Sequence, residues 1–509
     1  MKRILSLTIV LTATFALSTA SGRPGEAGER RLVSVRVAYQ SWNEYRPWEK
    51  TAPSIRRFPG IVVSTNRILV LAHNLDDATL IQVEKFDRPP RVPARIVHRD
   101  SQVDLALIAV DDPGFFDDLT PVKVADSVGD GPFLCEAWKE GQLTKSSCRW
   151  SRVVVRSSAT PHFHYAGVYF ITDLKNGGSG EPIFSGERLV GMVRSQNRNR
   201  VISFPAELIR AYLRAAERKN YPGFADLGIA YQFNRGAGQS SWLGLSGGRR
   251  GVLVRSCLPG GTADGGLKPG DLLLELDGRA INSRGDYLHP RYGWLDLNLI
   301  ASDGHYAGDE ILAKVLRDGK ERTVRLELKN IPPSVDLLPE SRLGNPPSYL
   351  FAAGFVFREL DMPYLRSWGE DWFERIPARL RIYAETGHEI LPGSKRLIIL
   401  AGVFPDPYNI GYHDLRQCVV RAVNGRTVSS IAELEEAFNH PSGRFQIIDF
   451  VPSFDISHVV LDAGGFDEAT RRIMRTYRIP SRIRKPRASE KSKAPRKEEE
   501  ETPKKEETP

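Results

Sequence analysis

The fold and the chemistry of this chain both centre on one short turn, Asn176-Gly177-Gly178-Ser179-Gly180-Glu181-Pro182. The turn lies between two strand-like runs, 167–171 and 188–193. Glycines permit positive φ values and let the backbone approach a ligand closely. Such a turn can direct two N–H groups at one point beside the Ser179 hydroxyl, as attack on a carbonyl and binding of the resulting oxyanion require. Gly-Ser-rich turns are also common as plain loops, so the interpretation depends on residues elsewhere in the chain.

A histidine and an aspartate at strand ends complete the pattern. His73 follows the apolar run 68–72, and Asp104 precedes the apolar run 105–110. A histidine can take the serine proton and return it to the leaving group, and a buried aspartate orients the imidazole and stabilises its charged form. Each residue alone is an ordinary polar residue. The order His, Asp, Ser in a β-rich sequence predicts a catalytic triad of His73, Asp104 and Ser179.

Short strand-like runs separated by turn residues surround these positions. Their spacing predicts antiparallel barrels or sandwiches rather than alternating strands and helices. A second set of runs extends from 133 to 203, and a run with helical period follows at 204–213. Residues 32–217 are therefore predicted to form two β-barrels closed by a helix. The first set comprises residues 32–37, 60–64, 68–72, 81–86, 94–98 and 105–110.

Two further units follow the predicted barrels. Residues 251–278 contain a strand, a short small-residue helix, a Pro269-Gly270-Asp271 turn and a second strand. Residues 419–438 carry a fainter echo of this pattern. The predicted order is a signal peptide 1–20, a linker 21–31, the barrels 32–217, a β-rich unit 221–330, a Pro-rich linker 331–350, a third unit 351–480 and a disordered charged tail 481–509.

The N-terminus predicts export. Met1-Lys2-Arg3 is positive, residues 4–17 are mostly apolar, and Ser18-Thr19-Ala20 offers small residues for signal-peptidase cleavage. A membrane anchor is the alternative, but the apolar run is shorter than the roughly 20 residues that a spanning helix needs. The mature protein is expected to be periplasmic or extracellular, without a membrane span.

Composition restricts the remaining possibilities. The chain has 509 residues, 41% hydrophobic and 26% charged, which suggests about three domains. The formal charge is +9, but acidic and basic residues are interspersed, so nucleic-acid binding is not indicated.

Cysteines and histidines offer no strong metal or cofactor signal. No CxxC pair is present, and no cofactor is predicted. Cys135 and Cys148 lie in neighbouring strand-like runs, where they could form a disulfide or remain two buried thiols. His162 and His164 could lie on one strand face as metal ligands, but no further ligand is evident, so they are interpreted as surface residues.

The motifs resemble those of the HtrA/Deg serine proteases. The histidine strand 68–73, the aspartate strand 103–108, the serine turn 177–182 and the closing step 202–205 are each similar to the corresponding family motif. The run 267–278 resembles the "GLxPGDxLLxLDG" pattern of PDZ domains, and the third unit resembles a degenerate PDZ-like domain.

The resemblance implies a mainly β protein with two six-stranded antiparallel trypsin-like barrels followed by two PDZ-like domains. It implies an endopeptidase of unfolded or damaged proteins, with Ser179 as nucleophile, His73 as general base and acid, and Asp104 as the orienting carboxylate. The N–H groups of Gly177 and Ser179 would form the oxyanion hole. In the first PDZ-like unit, the loop with Leu227, Gly228 and Ile229 would bind peptide C-termini; 354–356 would be the equivalent loop in the second. A homotrimer is also implied.

The sequence departs from the family pattern near the serine. Glu181 replaces the second glycine after the serine, Gly178 replaces an Asn or Asp, and the loop before the turn is about two residues short. Asp173 could act as a specificity acid, or Thr172-Asp173 could end a strand as in the family pattern. These departures leave a rival interpretation, in which a catalytically impaired protease fold serves as a PDZ-based binding scaffold.

Overall fold

The computed structural model describes residues 30–486 with short internal gaps. The predicted signal peptide, nearly all of the predicted linker 21–31 and most of the predicted tail lie outside the described residues. The gaps fall at 87, 140–141, 159, 243–249, 333–335, 341, 343–344, 387–394 and 453–455.

The first six strands close into an antiparallel barrel in the order β1-β2-β3-β6-β5-β4. Each strand contains most or all of a predicted run, because each run alternates or concentrates apolar residues that fill one core. β2 begins six residues before its predicted run, and β5 begins three residues before its own. The strands are β1 Leu32–Tyr39, β2 Ser54–Ser64, β3 Arg67–Leu71, β4 Ala78–Lys85, β5 Arg91–Asp100 and β6 Leu105–Val110.

The second sheet is also a ring, as predicted, with one addition. Six strands follow the order β11-β8-β9-β10-β13-β12, and β12 pairs with β11 to close the ring. The short β7 joins β12 in parallel, so this sheet has seven strands rather than six and is not wholly antiparallel. The strands are β7 Lys123–Val124, β8 Phe133–Lys139, β9 Gln142–Ser157, β10 His164–Thr172, β11 Pro182–Ser185, β12 Arg188–Asn197 and β13 Arg200–Pro205.

Helix α1, Ala206–Ala216, follows β13 and buries one face. Leu208, Ile209, Tyr212 and Ala215 are buried and recur at helical spacing, and the first three pack against side chains of both rings. The predicted closing helix is therefore present.

The second unit, 221–330, is a small β-sheet with β14 at one edge. The order is β14-β15-β16-β20-β21, with β17 paired to β16 and a separate β18–β19 hairpin. The predicted small-residue helix between β15 and β16 is instead a series of turns, because its closely spaced glycines favour turns over helix. The elements are β14 Ile229–Gln232, α2 Ala237–Trp242, β15 Val252–Cys257, β16 Leu272–Leu276, β17 Arg279–Ala280, β18 Asp286–His289, β19 Gly293–Asp296, β20 Glu310–Arg317 and β21 Lys320–Glu327.

The third unit, from 338 onward, is a larger sheet flanked by helices. The order is β28-β27-β25-β24-β23-β22-β29, with β26 paired to β25. Two strands extend past the predicted boundaries: β22 begins inside the predicted linker, and β29 lies inside the predicted tail, where apolar Ile483 pairs with Leu350. The elements are β22 Tyr349–Ala352, β23 Phe355–Glu359, α3 Met362–Arg366, α4 Trp372–Arg375, α5 Ala378–Thr386, β24 Ile398–Val403, β25 Cys418–Val423, β26 Arg426–Thr427, α6 Ile431–Phe438, β27 Phe445–Phe450, β28 His458–Asp462, α7 Phe466–Thr476 and β29 Ile483–Arg484.

The connection between β1 and β2 anchors the first barrel to the third unit. Trp48 is buried against the aromatic rings of Tyr349, Phe351 and Phe404, at centroid distances of 5.6, 6.0 and 5.7 Å. Its docking brings the third unit next to the barrels that carry the predicted triad.

A buried charge cluster reinforces this anchor. Glu44 Oε2 accepts hydrogen bonds from Arg358 at 2.7 Å and from Arg342 at 2.5 Å. Both arginines also pair with Asp361. Burial acts to raise the pKa of Asp361, but the two guanidinium charges outweigh it and hold that pKa below its usual range. Two cations and two anions thus compensate one another at the contact.

Candidate active site

His73 and Asp104 meet at the end of the first barrel. The ring Nδ1 lies 2.8 Å from Asp104 Oδ2 and 3.0 Å from Oδ1, and the backbone N–H of His73 donates to Oδ1 at 2.9 Å. Asp104 is 1% exposed, whereas the His73 side chain is 43% exposed. The buried carboxylate therefore contacts Nδ1 and leaves Nε2 as the ring nitrogen that can take a proton from the cleft.

Local backbone geometry explains why the two residues meet. β3 and β6 are paired neighbours, and the residues adjoining them, Ala72 and Asp104, are joined by a backbone hydrogen bond of 3.1 Å. Asp104 has φ +68°, a left-handed conformation that aspartate tolerates better than most residues. The turn before β6 thus directs the carboxylate towards the short 3₁₀ helix, Ala72–Leu75, that carries His73.

Arg194 on β12 is a site residue that the sequence reasoning missed. Its Nε lies 3.3 Å from Asp104 Oδ2, so the carboxylate contacts a guanidinium as well as the imidazole. The side chain is 25% exposed and lines the cleft beside His73. The change from buried apolar to alternating polar residues in the second half of β12 was the available signal.

The serine turn is hydrogen-bonded to the residue next to the histidine. Asn74, next to His73, donates through Nδ2 to the backbone carbonyl of Ser179 at 2.9 Å. Within the described part of the chain, the Ser179 hydroxyl makes no hydrogen bond to the His73 ring. The structure therefore brings the three predicted triad residues to one place, with the His–Asp bond formed and the Ser–His bond not formed.

The predicted oxyanion donors are engaged by side chains. The Ser179 N–H donates to Glu181 Oε2 at 3.0 Å, and the Gly178 N–H donates to the same oxygen at 2.8 Å. The Gly177 N–H donates to Gln196 Oε1 at 2.5 Å. The N–H groups of Gly177 and Ser179 thus address two different acceptors instead of one point.

The turn has little room for a side chain at Gly177. A Cβ added to Gly177 would lie 2.3 Å from Leu174 Cδ2. Gly178 has φ +113° and Gly180 has φ +106°, values that residues with a side chain rarely adopt. The predicted Gly-rich turn is therefore a conformational requirement.

A cleft of about 450 Å³ opens beside His73. Its walls come from the first barrel, from β9 and the β9–β10 loop with Ser157 and Pro161, and from the third unit with Met362 and Arg366. Asp173 is exposed after the last residue of β10, which ends at Thr172 as the family pattern suggested.

The predicted carboxylate-binding loop of the second unit has an internal acceptor. The Gly228 N–H donates to Asp226 Oδ1 at 2.8 Å, and the Leu227 carbonyl accepts from Ala263. Gly228 has φ +63°, and Ile229 opens the edge strand β14. A cavity of about 610 Å³ runs along this loop and strand, with His164 on its other wall.

The equivalent loop predicted in the third unit is absent. Ala353 and Gly354 form the tight turn of the β22–β23 hairpin. The Ala353 N–H donates to Thr470 Oγ1 at 2.8 Å, so it is not presented to a ligand. β22 itself occupies the edge of β23 where an added strand would pair.

The interpretation of His162 and His164 as surface residues is wrong, because each side chain pairs with an aspartate from a later part of the chain. His162 is buried and bonded through Nε2 to Asp336, and His164 Nδ1 lies 2.7 Å from Asp226 Oδ2. Burial acts to lower the pKa of His164, but the hydrogen bond and charge of Asp226 outweigh it and raise that pKa. Both histidines thus connect the second ring to later parts of the chain. The interpretation failed because contacts with those later parts cover the start of β10, which the local sequence suggests is exposed.

Cys135 and Cys148 are buried free thiols, and a hydrogen bond with Cys135 lowers the pKa of Cys148 to about 7. Among the described residues there is no group of three or more His, Cys, Asp or Glu side chains arranged to hold a metal ion. Nor does any helix in the described ranges have the length and apolar character to cross a membrane.

Comparison with known proteins places this geometry in context. A protein-family profile described as a PDZ domain matches residues 338–485, the third unit. Protease Do-like 4, mitochondrial, of Arabidopsis thaliana is 26% identical over 461 residues, covering 88% of this chain and 84% of the relative. Protease Do-like 2, chloroplastic, of the same plant is 24% identical, covering 88% and 74%.

A bacterial relative and one solved structure complete the comparison. A probable periplasmic serine endoprotease DegP-like from Marinomonas sp. (strain MWYL1) is 29% identical over 306 residues, covering 56% of this chain and 59% of the relative. The structure of the HtrA-type protease AlgW with decapeptide covers 60% of this chain and 96% of that chain, at 17% identity and a TM-score of 0.45.

Proposed function

We propose that this chain, a member of the HtrA/Deg family of serine proteases, hydrolyses peptide bonds with Ser179 as nucleophile, His73 as general base and acid, and Asp104 as orienting carboxylate. The observation that carries the proposal is the His73 Nδ1–Asp104 contact of 2.8 Å beside the Ser179 turn. A buried carboxylate on Nδ1 fixes the tautomer whose Nε2 accepts a proton.

The reaction would proceed in two steps, formation of an acyl ester on Ser179 and its hydrolysis. Ser179 Oγ forms a bond to the scissile carbonyl carbon while its proton passes to His73 Nε2. The C–N bond then breaks, and the same proton goes to the leaving amine. Water, deprotonated by His73, attacks the acyl ester, and the Ser179 oxygen leaves with the proton restored.

The second unit would bind peptide C-termini along β14. Main-chain pairing to an edge strand is a feature used by peptide-binding sheets, and a peptide carboxylate would take the Gly228 N–H from Asp226. The cavity of about 610 Å³ beside Gly228 and Ile229 supports this. Leu227, Gly228 and Ile229 are the residues proposed to contact the peptide, and unfolded or damaged proteins are the proposed substrates.

Export is a further proposal, which rests on the N-terminal pattern of residues 1–20. The relatives have mitochondrial, chloroplastic and periplasmic names. N-terminal sequencing of protein purified from its native cells distinguishes cleavage after Ala20 from a longer or uncleaved leader.

Degradation of casein by purified protein, compared with Ser179→Ala, tests the proposed activity. We expect the wild type to degrade casein and the variant to leave it intact. Equal survival of casein with both proteins over many hours would contradict the proposal. The rival, a non-enzymatic peptide-binding scaffold, is favoured by the engagement of the Ser179 N–H by Glu181. It would gain support if C-terminal peptides bound while casein survived.

A further inference from the structure

Glu181 places a buried carboxylate inside the serine turn. Its Oε2 accepts from the Gly178 N–H at 2.8 Å and from the Ser179 N–H at 3.0 Å, and the residue is 5% exposed. Two successive backbone N–H groups around one oxygen form an anion-binding concavity. Hydrogen bonds to a charged acceptor are roughly twice as strong as neutral ones. The turn is therefore built around an anion that the chain itself supplies.

The Ser179 N–H is the donor that the proposed reaction needs most. In acyl transfer by a serine, the N–H of the nucleophile stabilises the oxyanion of the tetrahedral intermediate. An N–H carries one hydrogen, so it cannot serve Glu181 and a substrate oxyanion at full strength together. A neutral substrate carbonyl is also a weaker acceptor than a carboxylate and would not displace it.

We infer that Glu181 is an internal ligand that closes the oxyanion site of the resting chain, and that hydrolysis requires its carboxylate to leave the N–H groups of Gly178 and Ser179. This inference rests on the proposed serine-protease function and identifies a means of regulating that same site.

Gln196 secures the other predicted donor. Its Oε1 accepts from the Gly177 N–H at 2.5 Å, while its Nε2 donates to the carbonyls of Leu174 and Arg198 at 2.6 and 2.7 Å. The amide is therefore held at both ends. Opening the oxyanion site thus involves the side chains of Gln196 and Glu181, and only Glu181 is charged.

The backbone of Glu181 is held independently of its side chain. Its carbonyl accepts from the Val193 N–H at 2.8 Å, and Pro182 starts β11 immediately after it. The carboxylate also lies close to β8: the pKa of Cys135 is raised by its hydrogen bond with Cys148, by burial and by nearby charges that include Glu181. Side-chain rotation could therefore free the donors without unpairing the strand.

Two substitutions of Glu181 test the inference. Glu181→Gly removes the ligand, and Glu181→Gln keeps its size without its charge, which guards against a folding defect in the glycine variant. The readouts are the second-order rate of labelling by a fluorophosphonate and the kcat and KM for a peptide substrate. Restoring one oxyanion donor is worth about 10²–10³-fold in kcat. We expect a gain of about 100-fold in Glu181→Gly, a smaller gain in Glu181→Gln, and little change in KM.

Hydrogen–deuterium exchange of the segment 176–182 supplies a readout independent of catalysis. In the Ser179→Ala background, we expect faster exchange when Glu181 is replaced by glycine. Unchanged exchange, or a wild type that labels as fast as folded Glu181→Gly, would overturn the inference while leaving the protease proposal intact. If wild type and both variants all fail to label although exchange accelerates, the proposed hydrolase function is what fails.

Discussion

The Asp104→Asn substitution tests the interaction that orients the proposed base. Asp104 accepts from the backbone N–H of His73 at 2.9 Å through Oδ1 and contacts ring Nδ1 at 2.8 Å through Oδ2. Asparagine has nearly the same shape, but one oxygen becomes an NH2 donor. If its oxygen keeps the backbone bond, its NH2 faces Nδ1. That arrangement favours the tautomer protonated on Nε2, which cannot take the Ser179 proton.

The expected loss is large because the contact is buried and bidentate. Loss of the triad carboxylate by this substitution lowers kcat by about 10⁴-fold in serine proteases, which corresponds to about 5.4 kcal/mol of transition-state free energy. Arg194 adds to the effect, since its Nε at 3.3 Å would lose its charged partner and stay beside the site. We therefore expect kcat/KM for a fluorogenic peptide to fall by about 10⁴-fold.

A matched control lies at the other end of the same strand. Asp111 follows β6 as Asp104 precedes it, but it is exposed and pairs with Arg95. Asp111→Asn should change kcat/KM by less than about threefold, as expected for a surface ion pair. If the wild type is too slow to measure, both substitutions are compared in the Glu181→Gly background. A folded Asp104→Asn protein with activity within tenfold of its parent would show that Asp104 does not orient His73 for catalysis.

Two further predictions concern the contacts between units. Glu44→Gln should lower the free energy of unfolding, measured in urea, by about 3 kcal/mol, because it leaves the fully buried Arg358 with one carboxylate fewer. This value is at the low end for a broken buried ion pair, because the Glu44 side chain is 14% exposed. A loss below about 0.5 kcal/mol would show that Glu44 does not anchor the third unit. The raised pKa of His164 predicts that the contribution of the His164–Asp226 contact to the free energy of unfolding is fully present below pH 6.5. This contribution declines as the pH rises through the raised pKa, because the folded chain binds the proton more tightly than the unfolded chain. His164→Gln should remove this decline, and an unchanged pH profile would contradict the role of the contact with Asp226.

The first barrel could be predicted from the sequence in detail. Its strands are short, their apolar residues face one core, and turn residues separate them. The same local signals located His73 and Asp104, because each lies at the end of a strand whose burial is evident from the sequence. The pairing of β3 with β6 then brings the two residues together.

The state of the serine turn could not be predicted in this way. Glu181 was recognised as a departure from the family pattern, but its bonds to two backbone N–H groups depend on how the turn folds back on itself. Gln196 and Arg194 reach the site from β12, so their roles follow from ring closure rather than from local sequence. Side-chain contacts between distant strands carry no periodic signal.

The contacts between units escaped prediction for a related reason. No periodic apolar pattern marks the segment around Trp48, yet its tryptophan fills an aromatic pocket of the third unit. Arg358 within the apolar run of β23 was the available clue, because a buried guanidinium requires a partner. That partner, Glu44, lies more than 300 residues earlier in the chain.

Ser179 is proposed to be a nucleophile activated by His73 and Asp104. Mass spectrometry of the protein after prolonged incubation with a fluorophosphonate tests this role, because Ser179 Oγ would bond to phosphorus as fluoride leaves and the proton passes to His73. We predict a single adduct on the peptide that contains Ser179, formed by the wild type and faster by Glu181→Gly, and absent in Ser179→Ala and His73→Ala. An unmodified Ser179 in both reactive chains, or an adduct that persists in His73→Ala at the same rate, would contradict this role.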